Sequence, residues 1–285
     1  MSRLTPKIDF HVHPVIIEEA LSGDRRLEET VREVYHIGTA VQPLDALEKM
    51  LRVAGIDKAV LLSIDTPKGC LPPNDSLAAI IRENRMFIGF AGIDPTKGDE
   101  SIDELENLVS QGFKGVKLYP PLQGFRPGDK RLYGFYERVQ QLNVPILFHT
   151  GVSWIKDVRL GECHPLEVEK VVTSFPALKV VLAHMGFPWV WEAAMMAVKY
   201  ENVYLDLSGV FMGTPKEHIS YVLTKLLTPG FVSRFLADKI LFGSDWPRIE
   251  PFKMVEAVKS IPMEKHVFDK IMGLNAVKLL GLEEV

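Results

Sequence analysis

Eight short apolar runs, each ending in polar or turn-forming residues and followed by a stretch of helical spacing, dominate this chain. The first is 7–14 (KIDFHVHP). The others are 58–65 (KAVLLSID), 87–94 (FIGFAGID), 115–120 (GVKLYP), 145–151 (PILFHTG), 179–186 (KVVLAHMG), 203–209 (VYLDLSG) and 240–247 (ILFGSDWP). Runs of Val, Ile, Leu and Phe that stop at Gly, Pro, Asp or Ser are the pattern of parallel strands buried on both faces.

The segments between them carry helical signals. Apolar residues recur at three and four in 44–53 (Leu44, Leu47, Leu51), entered through Pro43 and left through Gly55. Asn74 is expected to cap a helix over 75–82. Acids open 101–109, which stops at Gly112, as the helix dipole favours. Further helices are expected over 132–142, 165–172, 188–199, 215–227, 252–260 and 267–280, with Asn275 a weak break near the end of the last. Strand–helix alternation requires crossover connections, and eight of them in 285 residues predict one domain over 1–285, a closed (β/α)8 TIM barrel. An open doubly wound sheet is the alternative. It would be expected to show a G-x-G-x-x-G or P-loop turn, and none is present.

The segment 15–41 is longer than an ordinary strand-to-helix loop and carries Glu18, Glu19, Arg25, Arg26 and Arg32. It reads either as a lid over the barrel mouth or as a solvated surface excursion. The charge balance is −4, from 33 Lys and Arg against 37 Asp and Glu, and no basic run argues for nucleic acid. No apolar run approaches the ~20 residues of a membrane span, and no apolar leader precedes the first strand. Cys70 and Cys163 lack metal or redox spacing, as expected of reduced thiols. A cytoplasmic protein acting on a small molecule is the expectation, with a homodimer allowed.

In a barrel the C-terminal strand ends converge on one mouth. His11 and His13 would lie there about 7 Å apart on one face of a strand, with Asp9 behind them and Phe10 and Val12 on the apolar face. Lys117 and Tyr119 would come from the fourth strand, His149 from the fifth, His184 from the sixth and Asp245 from the eighth, which neighbours the first. Four histidines and an aspartate on converging strands point to a metal site rather than to core. The remaining histidines, His36, His164, His218 and His266, fall in loops or helices and read as exposed. Asp206 reads as a partner orienting a ligand histidine, or equally as a buried ion pair or cap. Gly243-Ser244-Asp245 lacks the G-x-S-x-G frame of a serine nucleophile.

The motifs IDFHVHP, GFKGVKLYP, FHTG, LAHMG, YLDLSG, LFGSDWP and KIMGLNAVKLLGL, in this order along nearly the whole chain, resemble the amidohydrolase superfamily. The likeness is to the branch that includes aminocarboxymuconate semialdehyde decarboxylase. That resemblance implies that His11, His13, His149 and Asp245 hold one divalent ion, most often zinc, with manganese or another ion as alternatives. It implies a metal-activated water, with His184 and Asp245 handling its proton. It also leaves a second ion open, bridged by a carboxylated Lys117, although a lysine there more simply binds an anionic substrate group. Arg25, Arg26, Lys117, Tyr119, Trp246 and Arg248 are candidates for substrate contact. Hydrolysis of an ester, lactone or amide and non-oxidative decarboxylation of an aromatic or muconic-type acid both fit, the first slightly favoured because the chain lacks long insertions. A barrel that has lost its chemistry is the remaining class.

Overall fold

A computed structural model describes residues 5–35, 38, 40–156 and 158–283. Eight parallel strands alternate with helices: β1 (Ile8–Val12), β2 (Lys58–Leu62), β3 (Phe87–Gly92), β4 (Gly115–Leu118), β5 (Ile146–Phe148), β6 (Val180–Leu182), β7 (Val203–Asp206) and β8 (Ile240–Leu241). They pair in chain order. Backbone bonds from Phe10 N to Phe242 O (2.8 Å), Asp245 N to His11 O (2.9 Å) and His13 N to Trp246 O (2.7 Å) join β1 to the segment after β8. The sheet therefore closes on itself, as expected of a TIM barrel.

Two apolar layers hold it. Residues such as Val12, Leu61, Val116, Ile146, Leu182 and Leu205 face the surrounding helices. Their alternates, among them Ile8, Phe10, Val60, Leu62, Phe90, Leu147 and Val181, form a second cluster, closed from below by Ala276, Leu279 and Leu280. The strict alternation expected of β1 fails at one point. Its pairing with β2 slips between Asp9 and Val12. Phe10 consequently packs edge-on against Phe90 at 5.3 Å in the inner cluster, while Val12 lies in the outer one. A bulge adds one residue and re-aims the side chains beyond it.

Several helices start where proline can occupy the first turn, at Pro215, Pro229 and Pro251. Thr214 and Glu217 complete a capping box ahead of Pro215–Ser220. Asn74 departs from its expected role: it lies inside helix Asn74–Glu83 and makes no cap bond. Its side chain instead bonds both the O and N of Gly92 (2.8 and 3.1 Å), tying that helix to β3. Asn275 does not break its helix either. It is buried within the last helical stretch and donates to Ala237 O (2.9 Å) and Ile240 O (2.8 Å).

An antiparallel hairpin, Ile64–Thr66 with Gly69–Leu71, follows β2 where a simple strand end was expected. The long segment after β1 forms helices Glu18–Leu21 and Arg25–Tyr35. Lys68 of the hairpin meets Glu33 of the second helix in an ion pair. His36, with residues 37 and 39, lies outside the described residues. Among the described residues no helix is long and apolar enough to cross a membrane.

Candidate metal centre and active site

Beyond the inner apolar cluster the same strands deliver polar side chains. His11, His13, Lys117, His149, His184 and Asp245 are all buried. His11 Nε2 lies 3.1 Å from His13 Nε2, and Asp245 Oδ1 lies 3.8 and 3.6 Å from these two nitrogens. Ligand atoms about 2.0–2.1 Å from a tetrahedral ion are about 3.3–3.4 Å from one another. The triangle is thus already near the size a divalent ion needs.

The tautomers follow from the partners. Asp206 Oδ2 can only accept, so the 2.9 Å contact from His11 Nδ1 places a proton there and leaves Nε2 bare. His184 Nδ1 sits 3.1 Å from the Ser208 carbonyl, which fixes that ring in the same way. Asp206 also accepts from the backbone N of His184 and of Ser208, each at 2.9 Å. The Ser208 hydroxyl donates to Asp206 Oδ1 as well. The carboxylate therefore sets the His11 imidazole directly, the carboxylate–histidine arrangement that orients metal ligands, and holds the backbone of His184, whose ring is set by Ser208. His149 stands across the cavity, its ring 5.0 Å from that of His184 and stacked at 3.8 Å on Tyr119. Its Nε2 is buried with no hydrogen-bond partner among the described residues, as is the Nζ of Lys117.

Burial governs the charges. It holds His11, His13, His149 and His184 well below the ordinary imidazole range, with neighbouring positive groups adding to the effect. Neutral imidazoles are the ligand form. Burial likewise pushes the carboxyls of Asp9 and Asp245 up to about 7 and brings Lys117 down to about 8. Bare imidazole nitrogens, an ill-solvated carboxylate and orphaned polar atoms together fit a divalent cation as the missing charge. His184 (φ 59°) and Asp245 (φ 65°) both sit in the left-handed region, which few non-glycine residues adopt. Such backbone strain is tolerated where a site demands it.

The cavity above the cluster is lined by His13, Lys117, Tyr119, His149, His184, Asp245 and Arg248, with Ile64, Val152, Trp154, Ile155 and Phe211 as its apolar wall. Arg25 lies elsewhere, exposed on helix Arg25–Tyr35, and Trp246 is buried in the outer apolar cluster rather than in the cavity wall. Arg26 is likewise exposed, beside Asp24. His218, expected at the surface, is buried with its ring edge-on to Phe187 and Phe211. Asp9 bonds the backbone N of Ser244 (2.9 Å) and of His11 (3.2 Å) and supports the site from behind. Ser208 had a legible signal, two residues after Asp206 on a strand end. Most of the apolar wall had none, because Val152, Trp154, Ile155 and Phe211 come from loops of irregular length.

A sequence model described as amidohydrolase matches residues 8–282. A gamma-resorcylate decarboxylase of Polaromonas sp. JS666 is 27% identical over 221 residues, covering 61% of this chain and 64% of that protein. The chain spans less than two thirds of the length of the first curated relatives it matches. Among solved structures, a dihydroxybenzoic acid decarboxylase from Polaromonas sp. JS666 with bound manganese and 2-nitroresorcinol superposes with a TM-score of 0.69 at 21% identity, covering 98% of each chain. A 2-pyrone-4,6-dicarboxylic acid hydrolase structure from Pseudomonas putida gives 0.71 at 18% identity, covering 98% of this chain and 99% of that one. At these identities the two structures carry the fold.

Proposed function

The chain belongs to the amidohydrolase family, and from that premise we propose that it is a metal-dependent enzyme acting on a small carboxylate-bearing substrate, by non-oxidative decarboxylation. The observation that carries this reading is one small cavity over a buried His11–His13–Asp245 triangle, lined by two cations, Lys117 and Arg248. Among the described residues its lining contains no serine, cysteine or threonine to serve as a nucleophile. The gamma-resorcylate decarboxylase relative supports the reaction class.

His11, His13, His149 and Asp245 would hold the ion. Zinc suits three imidazoles and a carboxylate, and manganese is the second choice. When bound, the ion supplies Lewis-acid polarisation of the substrate's oxygens. The protein's own groups do the rest. Lys117 and Arg248 seat the substrate's carboxylate against the cluster. Ile64, Val152 and Ile155 exclude water beside it. Asp206 and Ser208 hold the rings of His11 and His184 in register. His184 takes or gives a proton at Nε2, and Asp245 does so at the carboxyl oxygen not turned to the histidines. In decarboxylation the C–C bond pair stays on the carbon, which takes that proton as carbon dioxide leaves.

Hydrolysis is the second reading, favoured by the bare Nε2 of His184, placed to accept a proton from an attacking water. Protein loaded with zinc or manganese and incubated with hydroxybenzoic acids and with lactones separates the two. Carbon dioxide release supports decarboxylation, and proton release from a lactone without carbon dioxide supports hydrolysis. A protein that retains no stoichiometric ion and turns over neither panel overturns both. The His184→Asn variant is expected to keep the ion and lose turnover.

A further inference from the structure

The cavity over the cluster measures only about 50 Å³, against roughly 300–1,000 Å³ for ordinary small-molecule sites. Something must yield before an organic acid can enter. Trp154 and Phe211 stand on two different loops of the mouth and both line this cavity. Their rings are stacked, with centroids 6.1 Å apart and planes 21° from parallel. Trp154 is nonetheless 56% exposed, an unusual cost for a tryptophan.

Phe211 is the fixed member of the pair. A second ring, Phe187, lies parallel to it at 5.4 Å and 4°, and His218 meets both rings edge-on. Phe211 also meets His184 at 5.7 Å. Gly209 makes that approach feasible, because a Cβ there would fall 2.9 Å from both His184 Nδ1 and the Phe211 ring. The loop carrying Trp154 is pinned beside it: Val152 N donates to Phe187 O (2.8 Å), and Tyr119 OH bonds Ser153 Oγ. With the loop held there, a displacement would fall to the exposed indole.

We propose that Phe211 is the specificity-determining shelf of this site: a flat, conjugated acid displaces Trp154 and stacks on Phe211, with its carboxylate toward Lys117 and Arg248. This rests on the carboxylate-binding reading above and adds the requirement for flatness. Offset stacking of aromatic rings favours planar substrates by roughly two- to tenfold in affinity.

The test compares benzoate with cyclohexanecarboxylate on zinc-loaded protein by calorimetry. Both carry the same carboxylate, and the puckered ring is the more apolar, so burial alone would favour the wrong acid. The wild type is expected to bind benzoate the more tightly. Phe211→Leu should erase the preference, and Phe211→Tyr should keep it, with zinc content unchanged in both. Trp154→Ala should tighten benzoate binding by removing the ring it displaces. Equal affinity for the two acids, or a preference that survives Phe211→Leu, overturns the shelf and leaves the carboxylate reading standing. Weaker benzoate binding in Trp154→Ala overturns the displacement. If neither acid binds the wild type, the carboxylate reading fails and the shelf falls with it.

Discussion

Within the barrel, Ile8, Phe10, Val60, Leu62, Phe90 and Leu147 pack carbon against carbon, all of them fully buried. Further along the same strands, at or just past the ends of β1, β5, β6 and β8, the same interior holds four neutral imidazoles and a carboxyl pushed up to about 7. The lower half packs apolar side chains from paired strands. The upper half contains left-handed non-glycine residues and buried nitrogens without partners. The lower half gains its stability from burial, and the upper half destabilises the fold until a cation neutralises it. The difference explains why the chemistry sits above a closed apolar plug, which can absorb the strain.

That contrast can be broken from either side. The largest effect is expected for Asp245→Asn. It removes the proposed anionic ligand, so activity should fall roughly a thousandfold or more, the several kcal/mol that an ion contributes to the transition state. The metal-free protein should respond in the opposite direction. A folded carboxyl pKa near 7 against an ordinary 3.8 means that the folded state holds a proton the unfolded state has lost between those values. Stability of the metal-free wild type should therefore fall as pH rises from about 4 to about 7. The Asn variant should lose part of that slope and be the more stable of the two above pH 7. Urea unfolding at several pH values in the presence of a chelator measures this, and an unchanged slope would show that Asp245 is already neutralised by its neighbours.

Phe10→Ala works on the lower half. Its ring is fully buried against Phe90, so unfolding free energy should drop by about 3–5 kcal/mol. Metal stoichiometry of the folded fraction should stay the same, and loss of the ion would show that the two halves are not separable. A smaller effect is expected for Asp206→Ala, which leaves the His11 ring present but unset and removes the acceptor from the His184 backbone. Metal affinity should weaken by roughly 10- to 100-fold, measured by competition with a chromogenic chelator. An affinity equal to that of the wild type would reduce Asp206 to a structural hydrogen-bond acceptor.

The barrel was legible because its signals are local and repeated: eight apolar runs, with the polar residues at their C-terminal ends. The polar residues gathered at the mouth were legible for the same reason, since a strand end names what it carries. The boundaries were less so. The fifth run extends over seven residues in sequence but contributes only Ile146–Phe148 to the sheet. The last contributes only Ile240–Leu241, so that Asp245 reaches the site from the following segment.

Residues that act through loops escaped. Arg25 belongs to a charged segment that could have folded over the mouth, yet helix Arg25–Tyr35 leaves it exposed and outside the cavity lining. Trp246 follows Asp245 directly, but a parallel bridge to Val12 places it at the seam of the closing barrel. His218 has no neighbour in sequence to announce its burial between Phe187 and Phe211.

By itself, then, the sequence determined the strand count, the parallel architecture and the identity of the groups at the strand ends, because periodicity and strand termination are properties of a few consecutive residues. Tertiary structure alone decided the slip in β1 that separates Phe10 from Val12, the tautomers that Asp206 and Ser208 impose, and the aromatic wall of the cavity. Each of those depends on which side chain meets which across strands and loops distant in sequence. Distances of 3 Å between residues almost 200 positions apart are set by closure of the barrel, and no local pattern encodes them.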